Sequence, residues 1–127
     1  MDSAIRTTVF IVEDSPSIRD RLVEMLGALD VELVGDAETP DDAIAGILRT
    51  RPVYVVLDYQ LNGGTAVDVL RVVHPQAPTT IFIVLTNHAN PQYRRICLDA
   101  GASYFFDKSL EFGKVRDVIA ATVAAQT

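Results

Sequence analysis

The hydrophobic residues of this chain fall into short runs that are separated by longer segments with helical periodicity. Four runs are almost wholly apolar and rich in β-branched and aromatic residues: residues 9–12, 53–57, 81–85 and 104–106. Continuous apolar runs of this length are typical of strands that are covered on both faces in a parallel sheet. A further run, residues 31–34, alternates apolar and polar positions, which favours a strand at the edge of the sheet.

The segments between these runs carry the apolar spacing of amphipathic helices. Three of them begin with a capping side chain followed by proline, at Ser15-Pro16, Thr39-Pro40 and Asn90-Pro91. Proline is favoured there because the first helical position needs no backbone N–H donor. We expect a further helix after Thr65 and a last one capped by Ser109.

Strand and helix alternate five times along the chain. Such alternation predicts an α/β fold in which a parallel sheet is covered by helices on both faces, with right-handed crossovers. We therefore expect a doubly wound, five-stranded sheet of the flavodoxin-like (βα)5 kind, with strand order 2-1-3-4-5. No linker or repeat divides the sequence, so the prediction is a single domain over residues 1–127.

Composition narrows the class of protein. The 127 residues are 49% hydrophobic and carry a net charge of −6, which makes binding to a nucleic-acid backbone unfavourable. The single cysteine, Cys97, excludes an intrachain disulfide and a cysteine-based zinc site. Neither a signal peptide nor a membrane-spanning run is recognisable, so we expect a cytoplasmic protein without membrane insertion.

Polar residues follow four of the predicted strands at the point where each strand ends. They are Glu13 with Asp14, then Asp58, Thr86, and Asp107 with Lys108. Because the carboxyl ends of parallel strands meet at one edge of the sheet, where ligands of open α/β folds bind, these side chains should converge.

The converging residue types suit phosphate chemistry. Three carboxylates that lie close together repel one another, so either the pKa of one of them rises or a cation lies between them. Oxygen ligands without His or Cys favour Mg²⁺ as that cation. A lysine and a threonine hydroxyl could then bind phosphoryl oxygens, beside a carboxylate nucleophile. Each residue alone is more often a helix cap, a turn residue or a surface charge. Their common place at the strand ends favours the functional interpretation.

Four segments then carry a resemblance to a known family: residues 10–16 (FIVEDSP), 55–61 (VVLDYQL), 84–86 (VLT) and 101–108 (GASYFFDK). With them, essentially the whole chain resembles a bacterial response-regulator receiver domain of two-component signalling, of the stand-alone type. The resemblance implies a role for each matching residue. Asp58 would be the phosphoacceptor and also a Mg²⁺ ligand, with Asp14 as a direct ligand, Glu13 as a ligand through water and the Gln60 carbonyl as a further ligand. Thr86 and Lys108 would bind the phosphoryl oxygens. Thr86 and the aromatic Phe105 would form the switch.

The resemblance also implies how the protein acts. A histidine kinase or histidine phosphotransfer protein would donate phosphate to Asp58, and the signal would pass to a downstream protein by direct contact. Self-phosphorylation and slow autodephosphorylation would then be the only enzymatic steps. Two alternatives remain: an interaction module that is never phosphorylated, and a small Mg²⁺-dependent phosphatase, which would want an acid where Gln60 stands.

Three positions depart from the family pattern. Asn62 and Ser109 stand where proline is usual, and Phe105 lacks the hydroxyl of the more frequent tyrosine. The bond after the family's lysine is usually cis, but a cis bond before a residue other than proline costs about 2.5–4 kcal/mol. We therefore expect a trans Lys108–Ser109 bond.

Overall fold

A computed structural model describes residues 6–126 of the chain. Residues 1–5, part of the segment searched for a signal peptide, and residue 127 lie outside the described residues. The strands are β1 (Thr7–Val12), β2 (Val31–Ala37), β3 (Tyr54–Asp58), β4 (Gln60–Leu61), β5 (Gly64–Thr65), β6 (Ile81–Thr86) and β7 (Tyr104–Asp107). The helices are α1 (Pro16–Gly27), α2 (Pro40–Thr50), α3 (Ala66–Gln76), α4 (Pro91–Asp99) and α5 (Phe112–Ala125).

The main sheet has the predicted topology. Its five strands are all parallel and lie in the order β2-β1-β3-β6-β7, which is 2-1-3-4-5 for the five predicted strands. The alternating run forms β2, an edge strand, as expected. The sequence did not predict the short antiparallel pair of β4 and β5, which follows Asp58 and leads into α3.

Each face of the sheet carries its own apolar core. Phe10, Val55 and Phe82 belong to the core that includes residues of α2, α3 and α4, whereas Ile11 and Val56 belong to the core with α1 and α5. Successive strand residues therefore point to opposite faces, and both faces are buried. Cys97 is fully buried in the first core, as a structural thiol would be.

Most helix starts agree with the prediction. The side chains of Ser15, Thr39, Thr65 and Asn90 each accept a hydrogen bond from a backbone N–H in the first turn of their helix. Ser109 is the exception, and its predicted role as the α5 cap is wrong. The helix begins three residues later because Asp107 Oδ1 accepts the N–H groups of Ser109 and Leu110, which holds this stretch in a turn.

No peptide bond among residues 6–126 is cis, so the bond between Lys108 and Ser109 is trans. The expected trans geometry is therefore confirmed. Within that same stretch of chain, no helix combines the length and the apolar character that crossing a membrane requires.

Gly101, just after α4, is a position where a side chain is not tolerated. Its φ is 121°, and a Cβ there would lie 2.5 Å from Cγ of His74 on α3. We expect Gly101→Ala to lower the free energy of unfolding by about 2–4 kcal/mol, the sum of backbone strain and overpacking. Urea denaturation measures the change. His74→Ala in the same background should recover only part of the steric cost, because it removes Cγ but keeps the His74 Cβ, which would lie 2.9 Å from the added Cβ. An unchanged midpoint for Gly101→Ala would contradict the prediction.

Candidate functional site

The predicted site residues meet at the carboxyl edge of the sheet. Strand pairing sets Asp58 beside Leu85 and Thr86 beside Asp107, so neighbouring strands end at nearly the same height. The strand ends and the loops that follow them line a cavity of about 300 Å³, which is open to solvent. It is lined by Glu13, Asp14, Ser15, Ile18, Asp58, Gln60, Thr86, Asn87, His88 and Lys108.

Three carboxylates cluster in this cavity. One oxygen atom from each of Glu13, Asp14 and Asp58 lies within 4.8 Å of the others, and Glu13 and Asp58 are buried. The Oε2 atom of Glu13 accepts the N–H of Ser15 at 3.1 Å, whereas Oε1 is buried and accepts no hydrogen bond. A donor set made only of carboxylate oxygens, two of them from buried residues, fits a hard divalent cation such as Mg²⁺.

Lys108 supplies the positive charge of the cluster. Its Nζ lies 3.0 Å from Glu13 Oε1, as an ion pair without hydrogen-bond geometry, and 3.1 Å from Asp58 Oδ1. Its backbone N–H donates to the Thr86 carbonyl at 2.8 Å, which anchors the lysine beside β6. One ammonium group faces three carboxylates, so the cluster retains an excess of negative charge for a cation to neutralise.

The electrostatics of Asp58 reflect this crowding. Burial, followed by the nearby Glu13 carboxylate, raises the pKa of Asp58 from 3.8 to about 7, against the opposing effect of Lys108. A buried carboxylate whose charge is costly is poised to gain from a metal ion or from covalent modification.

The remaining predicted residues surround this cluster. Thr86 is buried, and its Oγ1 accepts the N–H of His88 at 3.0 Å, which leaves the hydroxyl hydrogen free to donate. Gln60 lines the cavity, and its carbonyl remains only a predicted ligand. Phe105 is 4% exposed and packs in the core that includes α4 residues.

Two arrangements near the site were not predicted from the sequence. Tyr59, which follows Asp58, stacks on Tyr93 of α4 with ring centroids 4.7 Å apart. Asp107 and Glu111 exchange hydrogen bonds across the loop that carries Lys108. The sequence did contain a signal for the bonds between Asp107 and Glu111, because two acids four residues apart on either side of Lys108 can bond to nearby backbone groups. The stack joins tyrosines that are 34 positions apart in the sequence, so no local sequence pattern could have predicted it.

Comparison with known proteins places this site within a family. The sequence pattern of the response regulator receiver domain matches residues 9–120. The chain is 30% identical over 104 residues to the DNA-binding transcriptional activator DevR/DosR of Mycobacterium tuberculosis, covering 81% of this chain and 48% of the relative. It is 34% identical over 107 residues to protein-glutamate methylesterase/protein-glutamine glutaminase 4 of Hahella chejuensis, covering 81% of this chain and 27% of the relative.

The fold has solved counterparts as well. The CheX–CheY–BeF3–Mg²⁺ complex of Borrelia burgdorferi contains a chain that matches with a TM-score of 0.83 and 20% identity, covering 91% of this chain and 88% of that one. The present chain spans about half or less of the length of the curated relatives described above, so the similarity concerns one domain of each. From its sequence pattern and its fold together, the chain belongs to the response regulator receiver domain family.

Proposed function

We propose that this receiver domain is a phosphoryl-accepting signalling switch, with Asp58 as the phosphoacceptor. The observation that carries the proposal is the environment of Asp58, which lies buried at a strand end between the Glu13 carboxylate and the Lys108 ammonium. A histidine kinase or histidine phosphotransfer protein is the proposed donor. We place the domain in the cytoplasm, as one unit over residues 1–127, with no catalytic activity on other substrates.

Three residues of the cavity have a direct part in the transfer: Asp58, Lys108 and Thr86. A carboxylate oxygen of Asp58 attacks the phosphorus of phosphohistidine, an O–P bond forms, and the P–N bond to the histidine breaks. The Lys108 ammonium and the Thr86 hydroxyl donate hydrogen bonds to phosphoryl oxygens as negative charge shifts toward them. Both donors are held in place beforehand, the Lys108 ammonium by Glu13 and Asp58 and the Thr86 hydroxyl by the N–H of His88.

Glu13, Asp14 and Asp58 are the residues that would hold Mg²⁺, together with the Gln60 carbonyl. When bound, the ion supplies positive charge that offsets the carboxylates and the incoming phosphoryl oxygens.

The proposed output surface comprises α4, β7 and α5. Arg94 Nη1 on α4 donates to the carbonyl of Phe105 on β7 at 3.3 Å, and Tyr93 stacks on Tyr59 beside the phosphoacceptor. A change at Asp58 can therefore reach α4 through Tyr59 and Tyr93, and Arg94 links α4 to Phe105, which is the basis for a shift between two conformations. The downstream partner is a protein that distinguishes these conformations.

Incubation with acetyl phosphate and Mg²⁺, followed by intact-mass measurement, tests the proposal. A switch gains one phosphoryl group, which hydroxylamine removes because the linkage is an acyl phosphate. A phosphatase would instead release phosphate over many turnovers, and a pure interaction module would gain no mass. Either of the last two results would overturn the proposed function.

Mg²⁺ is expected to raise the melting temperature of the wild-type protein, because a ligand that binds only the folded state stabilises it. At a concentration about 100 times the Kd, the gain is about 2.7 kcal/mol. Asp14→Ala should remove most of this gain in thermal melts with and without Mg²⁺. Asp20→Ala, an exposed acid of α1 outside the cavity, is the control and should respond like wild type. An equal response of Asp14→Ala and wild type would exclude the metal site.

A further inference from the structure

The loop between β7 and α5 is held by a closed set of hydrogen bonds, which we call the Asp107 clasp (residues 107–111). Asp107 Oδ1 accepts the N–H of Ser109 at 2.7 Å and that of Leu110 at 2.9 Å. The Asp107 N–H donates to Glu111 Oε1 at 3.0 Å, and the Glu111 N–H donates to the Asp107 carbonyl at 2.9 Å. With the bond from Lys108 to Thr86, every backbone N–H of the loop has a partner.

Apolar packing does little to fix this loop. Ser109 and Leu110 are exposed, and the Leu110 side chain is 85% exposed. The turn also lacks the proline that usually follows the lysine in this family, so its shape depends on hydrogen bonds. Among these, the two bonds accepted by Asp107 Oδ1 fix the residues that directly follow Lys108.

The position of the Lys108 amine depends on that backbone. Its side chain is 7% exposed and reaches both Glu13 and Asp58, with contacts of 3.0 and 3.1 Å. A lysine stem has several rotatable bonds, and much of its freedom is lost when the amine is held in one place. When the backbone at Lys108 is fixed, fewer side-chain conformations are available, so less conformational entropy is lost when the amine is held in the cavity.

We propose that Asp107 is a positioning residue for phosphoryl transfer: its carboxylate holds the turn after Lys108 and thereby directs the lysine amine into the phosphoacceptor cavity. Glu111 assists by holding the Asp107 N–H, and Lys114 holds Glu111 in turn through a 2.7 Å ion pair. The role in transfer rests on the proposed function, whereas the placement of the lysine amine does not.

The first test measures lysine reactivity and needs no phosphoryl transfer. The chain has two lysines, the buried Lys108 and the exposed Lys114, so peptide mass analysis after acylation with N-hydroxysuccinimidyl acetate compares them directly. In Asp107→Ala we expect Lys108 to react about 10-fold faster than Lys108 of wild type, because the amine leaves the cavity more often. Asp107→Asn should stay near wild type, since its amide oxygen can still accept both N–H groups.

The second test measures the rate of phosphorylation by acetyl phosphate in Mg²⁺. We expect Asp107→Ala to be slowed about 10-fold, because small misplacements of catalytic groups have effects of this size or larger. Asp107→Asn should restore the rate. Thr39→Ala is the matched control, since it removes a comparable side-chain cap, on α2, and should keep the wild-type rate.

The outcomes separate the two proposals. If wild type takes up no phosphoryl group while Lys108 reactivity responds to Asp107 as expected, the proposed function fails and the placement of the lysine stands. If wild type is phosphorylated but Asp107→Ala matches it in both tests, the positioning role is wrong. Equal changes in Asp107→Asn and Asp107→Ala would also overturn it, because charge rather than hydrogen bonding would then be responsible.

Discussion

Asp58→Asn is expected to abolish phosphorylation by acetyl phosphate, with no phosphoryl adduct in the intact mass. An amide oxygen is a poor nucleophile toward phosphorus, so the variant lacks the group that would accept the phosphoryl group. Asn fills nearly the same space, so the cavity and the fold should persist.

A matched variant shows whether the loss of phosphorylation is specific to Asp58. Asp117→Asn changes an exposed acid of α5 in the same way and should be phosphorylated at the wild-type rate. Circular dichroism of both variants checks that each is folded. A phosphoryl adduct on Asp58→Asn at the wild-type rate would show that the acceptor is another residue.

The second large effect concerns the pH dependence of stability without metal. The pKa of Asp58 is raised from 3.8 to about 7 in the folded protein, chiefly by burial. The folded state therefore holds this proton more tightly than the unfolded state, and the resulting stabilisation is complete below the unfolded pKa. It is lost as pH rises through about 7. Between pH 3.8 and about 7, we expect the titration of Asp58 to lower the free energy of unfolding by about 2–4 kcal/mol, allowing for partial solvent screening.

Urea denaturation in a chelating buffer at several pH values measures this change, and Asp58→Asn isolates it from the other titrating groups. The variant has no proton to lose at this position, so its stability relative to wild type should increase from about pH 4 to about pH 7 and then level off. A constant difference between the two proteins across this range would contradict the raised pKa of Asp58.

The hydrophobic pattern was sufficient for the fold because the three inner strands, β1, β3 and β6, are buried on both faces. Val55 and Val56 face different cores, and both had to be apolar, which made the run continuous and easy to recognise. The site could be predicted for a related reason. Parallel pairing brings strand ends together, so residues as distant in sequence as Asp14 and Lys108 were expected at one edge of the sheet before any contact was known.

What the sequence did not reveal depends on individual side-chain contacts. Ser109 has the residue type of a helix cap, but Asp107 competes for the same stretch of backbone and the helix starts later. Both residues favour turns and caps, and their relative strength depends on tertiary placement. The stack of Tyr59 on Tyr93 likewise depends on where α4 lies relative to the residue that follows β3, which periodicity does not specify.

That stack gives the molecule a built-in optical reporter. The chain contains four tyrosines and no tryptophan, so its near-ultraviolet absorption and emission come mainly from tyrosine. Two of the four rings lie parallel within 18°, and one of them adjoins Asp58. Near-ultraviolet circular dichroism is sensitive to fixed aromatic packing, so a shift of α4 relative to Asp58 alters the signal of this ring pair. The unlabelled protein can thus report movement of α4 by its own spectrum, with Tyr93→Leu as the silent reference.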